Sequence, residues 1–222
     1  GSMHIADFSV GMLGANGVGA AGLPIAVGAA HAQKLLGRDA ITACFFGDGA
    51  INRGPFLEAL NWARVFELPV LFVCEDNRWS ATTASGPMTA GEGAAARARS
   101  LGIAALQVDG NDVLQVHAAA GELVREVRSG AGPRLLHAVT YRVKGHVSVD
   151  PAAYRDPGEV ERALATDPLA RARARYLQLG GTDAAALDAI ERDAQAEVAA
   201  ALAAADAAPW PDAQAAFTDV QT

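Results

Sequence analysis

Cysteine and positive charge are scarce in this chain, and long apolar runs are missing. Cysteine occurs twice, at Cys44 and Cys74, each in or at the end of a short apolar stretch. Two thiols cannot build a disulfide framework, and free cysteine is among the residues most often buried, so both read as core side chains in a reducing compartment. Lysine and arginine total 18 against 25 acidic residues, a formal charge of −7, which argues against a nucleic-acid footprint. No apolar run reaches the ~18 residues of a membrane span, and the start of the chain lacks the basic-then-apolar pattern of a secretion signal. The expectation is a cytoplasmic protein with neither a membrane nor a nucleic-acid partner. Its 222 residues suffice for one domain with a sizeable core.

Two short apolar runs carry the fold. ITACFF (41–46) and VLFVC (70–74) are rich in β-branched and aromatic residues and have the length of buried parallel strands. A helical stretch from Pro55 to Glu67 lies between them, completing a strand–helix–strand unit. Asp48 follows the first run within Gly47-Asp48-Gly49-Ala50, and Asn77 follows the second, 29 positions later. Both polar residues therefore leave the carboxyl ends of neighbouring strands, the edge at which open α/β sheets bind ligands. A carboxylate and an amide oxygen suit a hard cation such as Mg²⁺, which usually shares its ligands with a substrate phosphate. Gly47 and Gly49 let the backbone turn sharply and bring N–H groups to an anion, and the helix starting near Pro55 adds its positive end.

Elsewhere the pattern predicts a helix from Leu23 to Leu36 stopped by Gly37, and a loop from Arg78 to Gly93. A short helix over 93–100, a strand near 104–108 and a helix from Asp112 to Arg128 capped by Asp112 follow. The last clear strand is Leu135 to Tyr141, with a loop from Lys144 to Asp156 after it. Helices near 168–179 and 183–205 are split by Gly180-Gly181, with Thr182 or Asp183 as cap, and Pro-Trp-Pro (209–211) opens an extended tail. The spacing of Leu187, Ile190, Val198 and Leu202 predicts a packed helix rather than disorder. Alternating strands and helices of these lengths specify a doubly wound parallel α/β sheet. Residues 1–160 are expected to form that domain, and 161–222 a C-terminal helical extension and tail packed on it.

Gly17 to Gly22 spells GxGxxG, so a dinucleotide-binding Rossmann turn has to be weighed. The preceding FSVGMLGAN makes a poor first strand, and Asp48, the acid at the end of the next strand, comes 31 residues after Gly17 instead of about twenty.

GANGVGAAGLPIAVGAA, FFGDGAINRG, FLEALNWA, LPVLFVCEDNRW, QVDGNDV, GPRLLHAVTYR and KGHVSVDPAAYR occur in this order. Together they resemble the alpha subunit of thiamine-diphosphate-dependent 2-oxo-acid dehydrogenase components, the pyruvate, acetoin and branched-chain group. The likeness runs over nearly the whole chain and corresponds to the family's C-terminal portion, its N-terminal part preceding the point where this chain begins.

The resemblance implies Asp48, Asn77 and the backbone carbonyl of Trp79 as Mg²⁺ ligands. It also implies Gly47, Gly49 and Ala50 as contacts of the diphosphate, and Gly17, Val18 and Gly19 beside the aminopyrimidine ring. His146 would lie at the mouth of the site as a cofactor contact and catalytic group, imidazole being the side chain best suited to proton traffic near neutral pH. His4, His31, His117 and His137 read as structural, although His4 matches a family position near the cofactor. Asp76 stands where the family often has Asn, Trp79 where it often has Tyr, and Arg53 where it has Gln. Val147 follows His146 where the mammalian pyruvate enzymes carry a phosphorylatable Ser, which argues against kinase control there.

The activity so implied is decarboxylation of a small 2-oxo acid, or cleavage of acetoin, with acyl transfer to a lipoyl-bearing acyltransferase. A beta subunit would supply the Glu that activates the cofactor. An NAD(P)-binding Rossmann domain and a non-catalytic assembly subunit are the alternatives.

Overall fold

The computed structural model describes residues 3–181 and 183–218. Thr182, one of the two alternative caps, lies outside them. The chain divides into two compact units, Gly1–Ala172 and Arg173–Thr222. In chain order the elements are α1 (Gly22–Leu35), β1 (Thr42–Gly47), α2 (Gly54–Val65), β2 (Val70–Asp76) and the two-residue strands β3 (Trp79–Ser80) and β4 (Thr83–Ala84). They continue with α3 (Gly93–Ser100), β5 (Ala104–Asp109), α4 (Val113–Arg128), β6 (Arg134–Val139), α5 (Pro157–Leu164), α6 (Pro168–Gln178) and α7 (Ala184–Ala207).

Four strands form one parallel sheet in the order β1-β2-β6-β5, and β3 and β4 make a separate antiparallel pair. Helices cover both faces, as a doubly wound sheet requires. Phe72 and Cys74 of β2 point to one side, where they meet Leu23 and Ala30 of α1, Phe56 and Leu60 of α2, and Ala94 and Ala98 of α3. Leu71 and Val73 point to the other, against Ala119 and Leu123 of α4. A strand between two helix layers has no face left for polar residues, which is why VLFVC runs without alternation. Each fully buried Phe or Leu here contributes about 1.5–3 kcal/mol. On the edge strand β1 the pattern does alternate: Thr42, Cys44 and Phe46 are buried, whereas Phe45 is 65% exposed.

Register sets Cys44 beside Phe72 and Cys74 beside Phe46, so the thiols share a face two positions out of step. Both are free and buried, and burial pushes the Cys44 thiol up to about 11.

Local signals set the helix ends. Pro55 lies in the first turn of α2, and Asp112 accepts hydrogen bonds from the Leu114 and Gln115 N–H groups at 3.1 Å, capping α4. Gly37, at φ +61°, takes the left-handed turn that closes α1. Not foreseen was α5, although Asp156 accepts from the Gly158 N–H at 2.8 Å and Pro157 follows it, an ordinary helix start.

In the second unit, Asp183 caps α7 by accepting from the Ala186 N–H at 2.9 Å. The expected helix is there and ends before Pro209. Ile190, Val198 and Leu202 are exposed along it, so the apolar spacing finds no partner within that unit.

Candidate functional site

Gly47 of β1 stands in register with Glu75 of β2, so the two strands end together and Asp48 and Asn77 leave the sheet at the same edge. Asp48 opens a tight 3-10 turn, Asp48–Asn52, which leads straight into α2. The turn presents the Gly49 and Ala50 backbone at its start, where N–H groups have no intrahelical partner. Glycine is required at position 49, because a Cβ there would overlap the Oγ of Ser80 on β3.

Asp48 is 4% exposed, and its Oδ2 has no hydrogen-bond partner among the described residues. Burial pushes its carboxyl above the ordinary range and nearby Asp76 adds to the rise, while the hydroxyl of Ser85 works against it. A buried carboxylate in this condition lacks a counter-charge, which a bound cation would supply.

Asp76 lies behind it in a different state. His137 Nε2 sits 2.9 Å from Asp76 Oδ2, both residues are buried, and Arg78 Nη1 is 3.5 Å from the same oxygen. Burial alone would raise the Asp76 carboxyl. The hydrogen bond from His137, the charge of Arg78 and the Arg78 N–H outweigh it and hold the group below its ordinary value.

The segment from Asn77 to Trp79 is a strained turn. Arg78 adopts φ +70°, uncommon for a residue with a side chain and frequent at ligand clamps. Asp76 Oδ1 accepts the Arg78 N–H at 3.2 Å and Asn77 Oδ1 accepts the Trp79 N–H at 3.1 Å. The Asn77 oxygen is thus oriented and keeps a lone pair for a further ligand.

The loop after β6, expected from Lys144, begins at residue 140 because the strand stops at Val139, and its own side chains shape it. Asp150 accepts from the His146 N–H at 2.7 Å, the Ala152 N–H at 2.9 Å and the Tyr154 hydroxyl at 2.7 Å. These donors hold the Asp150 carboxyl below its usual value. Arg142 Nη1 is 3.0 Å from His146 Nδ1. A guanidinium can only donate, so Nδ1 is the acceptor and the proton of the neutral ring belongs on Nε2. Arg155 donates to the Arg142 carbonyl and is 5% exposed, its guanidinium 4.8 Å from the Trp79 ring centre.

A cleft of about 1450 Å³ collects most of the residues singled out in the sequence. Val18, Gly19, Gly47, Asp48, Gly49, Ala50, Asn77, Trp79 and His146 all line it. Gly17 does not; its neighbours Asn16 and Val18 do, and Gly17 faces the His4 ring. Arg53 lines the cleft too, with Nε close to Gly19. His137 is buried against Asp76, and His31 packs on Phe66 with ring centres 5.0 Å apart. The GxGxxG segment leads into α1, but no strand precedes it among the described residues, only a 3-10 turn at Phe8–Val10 and an isolated Asp7–Met12 bridge. A Rossmann turn needs that strand.

Sequence reasoning passed over Ser80, Arg142, Asp150, Arg155 and Glu159. Arg142 stands four positions before His146, a spacing that could have been noticed. Glu159 had a misleading signal: Asp156-x-x-Glu159 reads as a capping box. Its Oε1 instead accepts from Trp79 Nε1 at 3.0 Å and from the Tyr141 hydroxyl at 2.7 Å. No spacing rule reveals contacts across 80 residues.

Comparison with known proteins identifies the family. The profile of the family described as "Dehydrogenase E1 component" matches residues 1–214. The alpha subunit of acetoin:2,6-dichlorophenolindophenol oxidoreductase from Cupriavidus necator is 42% identical over 221 residues, which cover 99% of this chain and 66% of that protein. The subunit of the same name from Bacillus subtilis is 38% identical, with the same coverage of 99% and 66%. The pyruvate dehydrogenase E1 component subunit alpha from Rhizobium meliloti is 36% identical over 99% of this chain and 64% of its own length. The chain thus spans a little under two thirds of the curated relatives it matches. On this evidence the chain belongs to the dehydrogenase E1 component family.

Proposed function

We propose that the chain is the diphosphate-holding part of the alpha subunit of a thiamine-diphosphate-dependent dehydrogenase acting on a small 2-oxo acid or acetoin. One observation carries this reading: a buried Asp48 carboxylate with an unpartnered oxygen, beside Asn77 at the carboxyl edge of a parallel sheet, in a cleft of about 1450 Å³. That donor set fits Mg²⁺, a hard cation taking oxygen ligands and sharing them with phosphate. Asp48, Asn77 and the Trp79 carbonyl would hold the ion. The N–H groups of Gly49 and Ala50 would meet the diphosphate, with Gly47 allowing its close approach. The backbone of Gly17, Val18 and Gly19 would run beside the aminopyrimidine ring. When bound, thiamine diphosphate supplies a nucleophilic ring carbon and an electron sink.

This chain's own side chains bind, orient and move protons. With Nδ1 engaged by Arg142, His146 has Nε2 available to exchange a proton with a ligand in the cleft. Asp150 fixes the His146 backbone, and Arg155 ties the loop to Trp79, so the loop can shield the cleft from water. The Glu that activates the cofactor would come from a beta subunit, and the acyl group would leave on a lipoyl-bearing acyltransferase. The relatives are named for acetoin and for pyruvate, in keeping with acetoin or a small 2-oxo acid as the substrate. Among the described residues no helix is long and apolar enough to cross a membrane, in keeping with action in the cytoplasm.

The test is calorimetric titration of the chain, assembled with its beta subunit, with thiamine diphosphate. Binding should require Mg²⁺ and vanish with a chelator. Binding indifferent to Mg²⁺ would contradict the reading, and a complex that binds no cofactor would favour a non-catalytic assembly subunit.

A further inference from the structure

Glu159 is the one carboxylate of α5 that turns into the body of the first unit. Its Oε1 accepts two hydrogen bonds, from Trp79 Nε1 at 3.0 Å and from the Tyr141 hydroxyl at 2.7 Å. The indole it holds is 7% exposed, and its other neighbours are the Arg155 guanidinium and the Tyr154 ring, whose centre lies 5.5 Å away. Trp79 sits immediately after the left-handed Arg78, and its N–H is the donor that orients Asn77 Oδ1. The turn Asn77-Arg78-Trp79 is therefore pinned at one end by β2 and at the other by the indole. Remove the indole anchor and a strained turn is free to relax, taking both the Asn77 amide and the Trp79 carbonyl with it.

We propose that Glu159 is a positioning residue for the cation-binding turn: by holding the Trp79 indole through its Oε1, it sets the Asn77 and Trp79 oxygens in place for the metal–diphosphate group. This rests on the function proposed above. Glu159 touches neither cation nor cofactor in this account; it acts through Trp79. An acceptor at that position is what matters, so Gln, which keeps a carbonyl oxygen in the same place, should replace it.

Trp79 offers its own probe. The other tryptophans, Trp62 and Trp210, are 49% and 95% exposed, so a W62F/W210F background leaves a single buried indole to report. In that background, the emission of Glu159→Ala should shift to the red as the indole gains solvent, while Glu159→Gln should emit as the parent does. On the complex with its beta subunit, calorimetry with thiamine diphosphate and Mg²⁺ should give up to about tenfold weaker binding for Glu159→Ala, the upper scale of one neutral hydrogen bond. Glu159→Gln should stay within about twofold of wild type. Trp79→Phe, which removes the donor but leaves Glu159 and Tyr141 in place, should match Glu159→Ala and serves if that variant fails to fold. Wild-type affinity in Glu159→Ala, beside an Asp48→Ala control that binds nothing, would overturn the positioning role and leave the metal site standing. Equal loss in Glu159→Gln and Glu159→Ala would overturn it as well. Wild-type affinity in the Asp48→Ala control would instead remove the cation reading, and this proposal with it.

Discussion

Gly47 and Glu75 are register partners on adjacent parallel strands, and that single pairing brings Asp48 and Asn77 to one edge. A slip of the pairing would move one ligand along the sheet by a residue and turn its side chain to the opposite face. The consequence is a buried, unpartnered carboxylate oxygen on Asp48, held next to an amide oriented by its own turn. A site built this way trades stability for binding when nothing occupies it.

Asp48→Asn should therefore stabilise the unliganded protein at neutral pH. Burial raises the Asp48 carboxyl above its ordinary 3.8, so the folded state binds that proton more tightly than the unfolded chain does. The stability contributed by the protonated group is complete below 3.8 and is lost as pH rises through the raised folded value, leaving a costly ionised carboxylate at pH 7. Removing that cost should raise Tm, by roughly 2–4 °C for each kcal/mol relieved in a protein of this size. Calorimetric scans without cofactor should show the gain at pH 7 and its disappearance on acidification. An unchanged or lower Tm at pH 7 would contradict the burial argument.

Gly49→Ala should be destabilising because the new Cβ meets Ser80, and the damage should be reversible. A forced overlap of this kind costs about 1–3 kcal/mol. Ser80→Gly removes both side-chain atoms the Cβ would strike, so the double variant should recover most of the loss. Denaturant unfolding of the four proteins of the cycle measures the coupling. Simple additivity would mean that the cost of Gly49→Ala does not come from the Ser80 side chain.

His146→Ala should leave cofactor affinity largely intact and slow turnover with a lipoyl acceptor by roughly 10²-fold or more, the usual scale for losing a positioned proton-transfer group. Comparing lipoamide with an artificial electron acceptor separates the acyl-transfer step from earlier ones. Wild-type rates with both would make His146 an ordinary solvated histidine on a well-held loop.

Much of this was legible in advance where short-range rules operate. VLFVC reveals a buried parallel strand because a strand between helix layers must be apolar on both faces, whereas ITACFF forms an edge strand that alternates and leaves Phe45 exposed; Asp112 reveals a helix start because its carboxylate meets free N–H groups. The shared edge of Asp48 and Asn77 follows from strand ends; their reading as ligands rests also on their donor chemistry and on the family resemblance. What stayed hidden depends on contacts between residues far apart in the chain. The Glu159–Trp79 bond joins positions 80 residues apart, and Asp156-x-x-Glu159 imitates a local cap. The pairing of Asp76 with His137 leaves no mark in spacing, since it joins the last residue of β2 to one in the middle of β6, 61 positions later. Helix α5 was not anticipated, although Asp156 before Pro157 is an ordinary helix start and proline is at ease in a first helical turn.

The central claim is that Asp48 is the charged anchor of a cation that bridges this chain to a diphosphate. Titrating Mg²⁺ and thiamine diphosphate into the complex of this chain with its beta subunit, wild type against Asp48→Ala, tests it most directly. Wild type should bind in a Mg²⁺-dependent manner and Asp48→Ala should show no measurable heat, because the cation loses its only charged protein ligand. Asn77→Ala, which removes a neutral ligand, should be weakened nearly as much. Equal affinity in wild type and Asp48→Ala would contradict the account.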